Sequence, residues 1–76
     1  MEKLPTINPG KTGQRISEMI SNAGYTPDTL ANELGFSSAQ SIYKWRRGAC
    51  LPKVDNLLIL SRLLHCRIDD LIVSED

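Results

Sequence analysis

Much that would narrow the function of this 76-residue chain is missing from it. The longest apolar run is Leu57-Leu58-Ile59-Leu60, far short of the roughly 20 residues a membrane-spanning helix needs. The N-terminal residues show no long apolar stretch of the kind a secretory leader carries. Cys50 and Cys66 are the only cysteines, too few for a disulfide framework. These shortages lead to the expectation of a reducing, cytoplasmic setting with no membrane partner. A chain of this length makes one domain and buries only about 60–65% of its extended surface, so it cannot wall off a deep cleft. No nucleophile–base pair or paired carboxylate set is visible. An enzyme is therefore not expected, and neither is a cofactor or a small-molecule ligand. His65, the single histidine, has only Cys66 beside it, which does not make a metal site. Gly10-Lys11-Thr12 resembles the end of a phosphate loop, but Pro5 stands where such a loop requires glycine.

Net charge is also absent: nine basic and nine acidic residues sum to zero. Taken alone this argues weakly against a nucleic-acid partner, because such domains are often basic. The distribution says more than the total. No acidic side chain occurs from Leu34 to Val54, where Lys44, Arg46, Arg47 and Lys53 all lie. The acids gather at the C-terminal end as Asp69, Asp70, Glu75 and Asp76. A neutral chain can thus carry one basic face.

What is present is helical punctuation. Residues 1–12, with Pro5, Pro9 and Gly10, read as an extended N-terminal arm. A first helix is expected from Thr12 or Gly13, with Ile16, Met19, Ile20 and Ala23 as its apolar stripe and Gly24 as its stop. Thr26-Pro27 is a cap followed by a favoured first helical residue, so a second helix starts there; Leu30, Ala31 and Leu34 face inward and Gly35 ends it. Ser37 or Ser38 is expected to cap a third helix that runs to Arg46 or Arg47 and stops at Gly48. Val54, Leu57, Leu58, Ser61 and Leu64 predict one face of a fourth helix with Leu60 beside it, and residues 68–72 a closing turn started by Asp69-Asp70. No β-hairpin signal and no repeat appear. The expectation is an all-α fold, a compact bundle of about five short helices over residues 13–73, followed by an acidic tail at 74–76.

The second and third helices carry the chemistry. Two short helices joined by a glycine-containing turn make a helix-turn-helix, which needs a small residue where they cross, here Ala31, and a positive-φ residue at the turn, here Gly35. On a helical wheel Ile42 and Trp45 point to the core. Gln40, Tyr43, Lys44 and Arg47 point the other way, with Ala39 at their flank. An amide, a phenol and cations without a carboxylate suit the major groove: Gln reads adenine, Lys reads guanine, and Ala or a Tyr ring touches a thymine methyl. The base-facing candidates are Ser38, Ala39, Gln40, Tyr43 and Lys44. The phosphate-facing candidates are Thr26, Ser37, Arg46, Arg47 and Lys53.

The stretch Gly13–Val73 resembles the Cro/C1-type (XRE-like) helix-turn-helix domains of bacteria and their phages. The matching elements are Gly13-x-x-Ile16, Leu30-Ala31-x-x-Leu34-Gly35-Phe36-Ser37, Ile42-x-x-Trp45-x-x-Gly48, Pro52, Asn56-Leu57-x-x-Leu60-Ser61 and Ile68-Asp69-Asp70-Leu71. The resemblance implies a lambda-repressor-like fold and sequence-specific binding of double-stranded DNA by a transcriptional regulator acting as a homodimer. The fifth helix, Leu4 and Ile7 are candidate dimer surfaces. The chain departs from the family pattern at Pro27, where a phosphate-bracing Gln is usual, at Arg46 in place of an acid, and at Lys53 in place of Ser. It also has one extra residue between Gly35 and Ile42. The competing expectation is a protein-interaction module, antitoxin-like or a phage accessory protein, that reuses the same fold.

Overall fold

Asn8 decides where the helical part begins. Its backbone is extended and its side-chain oxygen accepts a hydrogen bond from the Lys11 amide at 2.9 Å, while Pro9 occupies the first helical position. In the computed structural model, which describes residues 4–75, helix α1 therefore spans Pro9–Asn22 rather than starting at Thr12 or Gly13. Pro9-Gly10 lies inside the helix because Pro lacks only an amide hydrogen that the first turn leaves unpaired anyway. It is followed by α2 (Pro27–Leu34), α3 (Gln40–Arg47), α4 (Val54–Leu63) and α5 (Ile68–Leu71).

The arm and the tail expected at the two ends are joined. Strands β1 (Thr6–Ile7) and β2 (Ser74–Glu75) pair antiparallel, Thr6 opposite Glu75 and Ile7 opposite Ser74. The Asn8 amide donates to the Val73 carbonyl at 2.8 Å, and the Asn8 side chain donates to the Glu75 carboxylate at 2.6 Å. Thr12, buried on α1, accepts from the Val73 amide at 3.0 Å and donates to its carbonyl at 3.3 Å. The arm is thus residues 4–8 of the described chain, and Ser74-Glu75 is a strand rather than a free tail; Met1, Glu2, Lys3 and Asp76 lie outside the described residues. The fold is all-α apart from this one short ladder among the described residues.

The core is Ile16, Ile20, Leu30, Ala31, Ala39, Ile42, Trp45, Leu60 and Leu71. Ala23, expected on the stripe of α1, is exposed at its C-terminal end. Helix α1 runs directly over α3. A Cβ at Gly13 would sit 1.9 Å from the Trp45 carbonyl oxygen, and one at Gly48 would sit 2.8 Å from the Gly10 Cα. Glycine is required at 13 by this close backbone approach, and at 48 both by close approach and by a φ of 73°.

Helix α4 is rotated from the expected face. Leu60 and Ser61 are buried and Leu57 and Leu64 pack against the core, whereas Val54 and Leu58 are exposed. Leu57, Leu60, Ser61 and Leu64 make one complete stripe at i, i+3, i+4 and i+7, which leaves no inward place for positions 54 and 58. The Ser61 hydroxyl is satisfied within the helix by the Leu58 carbonyl at 2.6 Å. Lys53 precedes α4 with no side-chain cap, since its ammonium offers no acceptor to the helix amides. Helix α4 ends through His65, which adopts φ 54° so that the Cys66 amide reaches back to the Ser61 carbonyl at 2.9 Å. At α5 Asp69 and Asp70 lie in the first turn, and the Asp70 carboxylate also accepts from the Arg67 amide at 3.0 Å, a capping bond beyond the electrostatic role expected of the two acids. No helix among the described residues is long and apolar enough to cross a membrane.

Candidate nucleic-acid interface

The unit α2–turn–α3 forms where the residues ask for it. Thr26 caps α2 reciprocally: its hydroxyl accepts from the Thr29 amide at 3.2 Å, and its own amide donates to the Thr29 hydroxyl at 2.8 Å. Gly35 ends the helix at φ 75°, and the Phe36 amide closes back on the Ala31 carbonyl at 2.9 Å. Phe36 then meets Trp45 edge-on, ring centres 6.0 Å apart and planes at 73°. Ile42 and Trp45 are 1% and 3% exposed, so α3 is fixed in rotation by two side chains on its inner face.

Fixing those two settles what α3 shows to solvent. Gln40, Tyr43, Lys44 and Arg47 line one shallow depression on the surface. They follow the i, i+3, i+4, i+7 spacing of one helix face. Tyr43 is 43% exposed, and the Arg46 guanidinium lies 5.7 Å from its ring centre, within cation–π range. Lys44, Arg46 and Arg47 occupy the last turn of α3, where the helix dipole favours positive charge. Among the described residues none of these cations has an ion-pair partner, the one salt bridge being Arg67–Asp70 at 3.8 Å.

The remaining candidates divide. Ser37 and Ser38 lie exposed in the turn before α3, but neither caps it in the expected way: α3 begins at Gln40, Ala39 is its N-cap with no side-chain bond, and the Ser38 hydroxyl reaches only the Gln40 amide at 3.4 Å. Ala39 is 7% exposed and belongs to the core, so it is not available to a base edge. Lys53 is exposed ahead of α4. Thr26 is exposed, but its hydroxyl and amide are already engaged with Thr29. Asp28 adds a carboxylate to the same turn of α2.

Arg46 also lines a crevice between α1 and the start of α2, together with Ser17, Ser21, Thr26 and Pro27. Ser17 and Ser21 are not among the sequence candidates. Their spacing places them on one side of α1, but nothing in the sequence alone indicates that α3 crosses beside that side. No model of a known protein family matches the chain, and no curated protein matches it.

Proposed function

We propose that this protein binds duplex DNA sequence-specifically, with α3 in the major groove, and that it regulates transcription as a Cro/C1-type helix-turn-helix protein of lambda-repressor-like fold. The observation that carries the reading is the open face of α3: Gln40, Tyr43, Lys44 and Arg47 together, no carboxylate among them, on a helix anchored from behind by Ile42 and Trp45. Gln40, near the N-terminal end, and Lys44 are the base readers, with Tyr43 beside them. Arg47, at the far end, holds the backbone together with Lys53 and the Ser37–Ser38 turn. Arg46 lies to the side of this face, over Tyr43, and contributes charge.

One module of this size buries roughly 600–1,000 Å² on DNA. Useful specificity therefore calls for a homodimer on two half-sites about 34 Å apart. Titration of a mixed-sequence duplex over a salt series tests the electrostatic part. Affinity is expected to fall steeply with salt, with a slope near −0.9 per phosphate neutralised. Absence of binding even at low salt sinks the reading. That result would favour an interaction module instead, for which Asp28 in the first turn of α2 and the zero net charge speak.

A further inference from the structure

We propose that α4 is the self-association surface of this protein. Two copies pair antiparallel along its outward face, with Leu58 of one against Ile59 of the other and Asp55 of each against Arg62 of its mate. Once Leu57, Leu60, Ser61 and Leu64 are turned to the core, the residues left facing away are Asp55, Leu58, Ile59 and Arg62, again at i, i+3, i+4 and i+7. Leu58 is 48% and Ile59 40% exposed, and Leu51 and Val54 lie exposed on the approach to them. Among the described residues, four of the seven exposed large hydrophobic side chains therefore fall between positions 51 and 59, on α4 and the loop that leads into it. Scattered exposed apolar residues need no explanation; a contiguous set does.

The order of charges identifies the occupant. Acid, apolar, apolar, base reads the same in polarity from either end and opposite in charge. A half-turn about the midpoint between Leu58 and Ile59 brings Asp55 onto Arg62 twice and closes the apolar pair between them. A parallel pairing would instead stack like charges. An isologous two-fold interface needs this kind of self-complementarity. The two-fold also keeps each side of the helix facing the same side of its mate. On that side, at the C-terminal end of α4, a groove runs between Leu58, Arg62 and Cys66 on one flank and Arg67, Asp69 and Asp70 of the α5 turn on the other, so Arg62 shares it with two acids of its own chain. Val54 of the second copy approaches that groove. By contrast α5 turns Leu71 fully inward and offers no large exposed apolar side chain. A one-helix contact is smaller than the roughly 800 Å² per partner of a standard interface, so association in roughly the micromolar range is expected.

The pairing gives the homodimer of the proposed function a surface, and it is tested without DNA, so either can fail while the other stands. Sedimentation velocity of the full chain is run from micromolar to near-millimolar concentration on wild type, Asp55→Arg, Arg62→Asp, the double exchange and Leu58→Asp, with thermal melts to verify folding. Each single exchange is expected to weaken dimerisation about tenfold or more, and the double exchange to restore it to within about fivefold of wild type, the shortfall coming from charges reversed against the helix dipole. Leu58→Asp is expected to leave only monomer. A wild type that stays monomeric throughout overturns the proposal. So do single exchanges that leave the equilibrium unchanged, or a double exchange no better than the singles.

Discussion

Helices α3 and α4 are consecutive, of eight and ten residues, and each buries one face in the same core. Their open faces differ completely. That of α3 is an amide, a phenol and cations, with no carboxylate along its length. That of α4 is apolar in the middle, with charges of opposite sign at its two ends. A surface of one sign suits a polyanion, which presents the same charge everywhere along its length. A surface that alternates acid, apolar and base suits a partner with the same pattern reversed. The pair shows that amphipathicity by itself assigns only the inner face. What an element does is written on the outer one.

The largest effect that separates the two helices comes from beneath α3. Gly13→Ala pushes a methyl into the Trp45 carbonyl, and a loss of about 3 kcal/mol is expected in urea unfolding. An unaltered midpoint would mean that α1 does not press on α3 as described. Thr12→Val is expected to cost about 1–3 kcal/mol, because the partly buried Val73 amide is left without its acceptor while the shape is nearly kept.

Charge removal breaks the comparison on one side only. Arg47→Ala and Lys53→Ala are each expected to reduce the salt slope of DNA binding, by about 0.9 for every phosphate no longer neutralised. The melting temperature and the sedimentation of the DNA-free protein are expected to stay unchanged. If these variants alter self-association instead, the roles of the two faces have been exchanged. The next effect is smaller and has the opposite sign. His65→Gly relieves a left-handed backbone at a non-glycine residue, φ 54°, and a gain of about 0.5–1 kcal/mol in unfolding free energy is expected. The smallest effect is a rate. Cys50 is exposed, whereas Cys66 is partly covered, and burial, reinforced by the Asp70 carboxylate, pushes the Cys66 thiol above its ordinary range. At pH 8 Cys66 therefore carries less thiolate, and slower alkylation than at Cys50 is expected by mass spectrometry.

The parts legible in the sequence are those set by single residues. Thr26-Pro27 opens α2, Gly35 and Gly48 close α2 and α3, and Ile42 and Trp45 mark an inner face, because each of these acts within one turn of its own backbone. The parts that were not legible depend on distant neighbours or on an unannounced backbone geometry. Pro9-Gly10 looks like a breaker unless Asn8 is seen to cap the helix it starts. Thr6-Ile7 and Ser74-Glu75 are too short to show a strand pattern and pair across the whole chain. His65 takes the left-handed position with no glycine to announce it. On α4, six apolar residues out of ten allow more than one inward face, and only packing against Leu71 and the rest of the core chooses between them. Within the site, Gln40, Tyr43, Lys44 and Arg47 follow from the wheel, whereas the inward turn of Ala39 does not, because α3 starts only at Gln40 and Ala39 still belongs to the turn before it.

Selection of duplexes from a random pool, carried out in parallel with wild type and Gln40→Ala, tests the central claim most directly. Wild type is expected to enrich a short two-fold-related consensus, and Gln40→Ala to relax one base position in each half-site while leaving the others intact. No enrichment by wild type, or a consensus that is indifferent to position 40 and equally to Lys44→Ala, would contradict an account in which α3 reads the major groove.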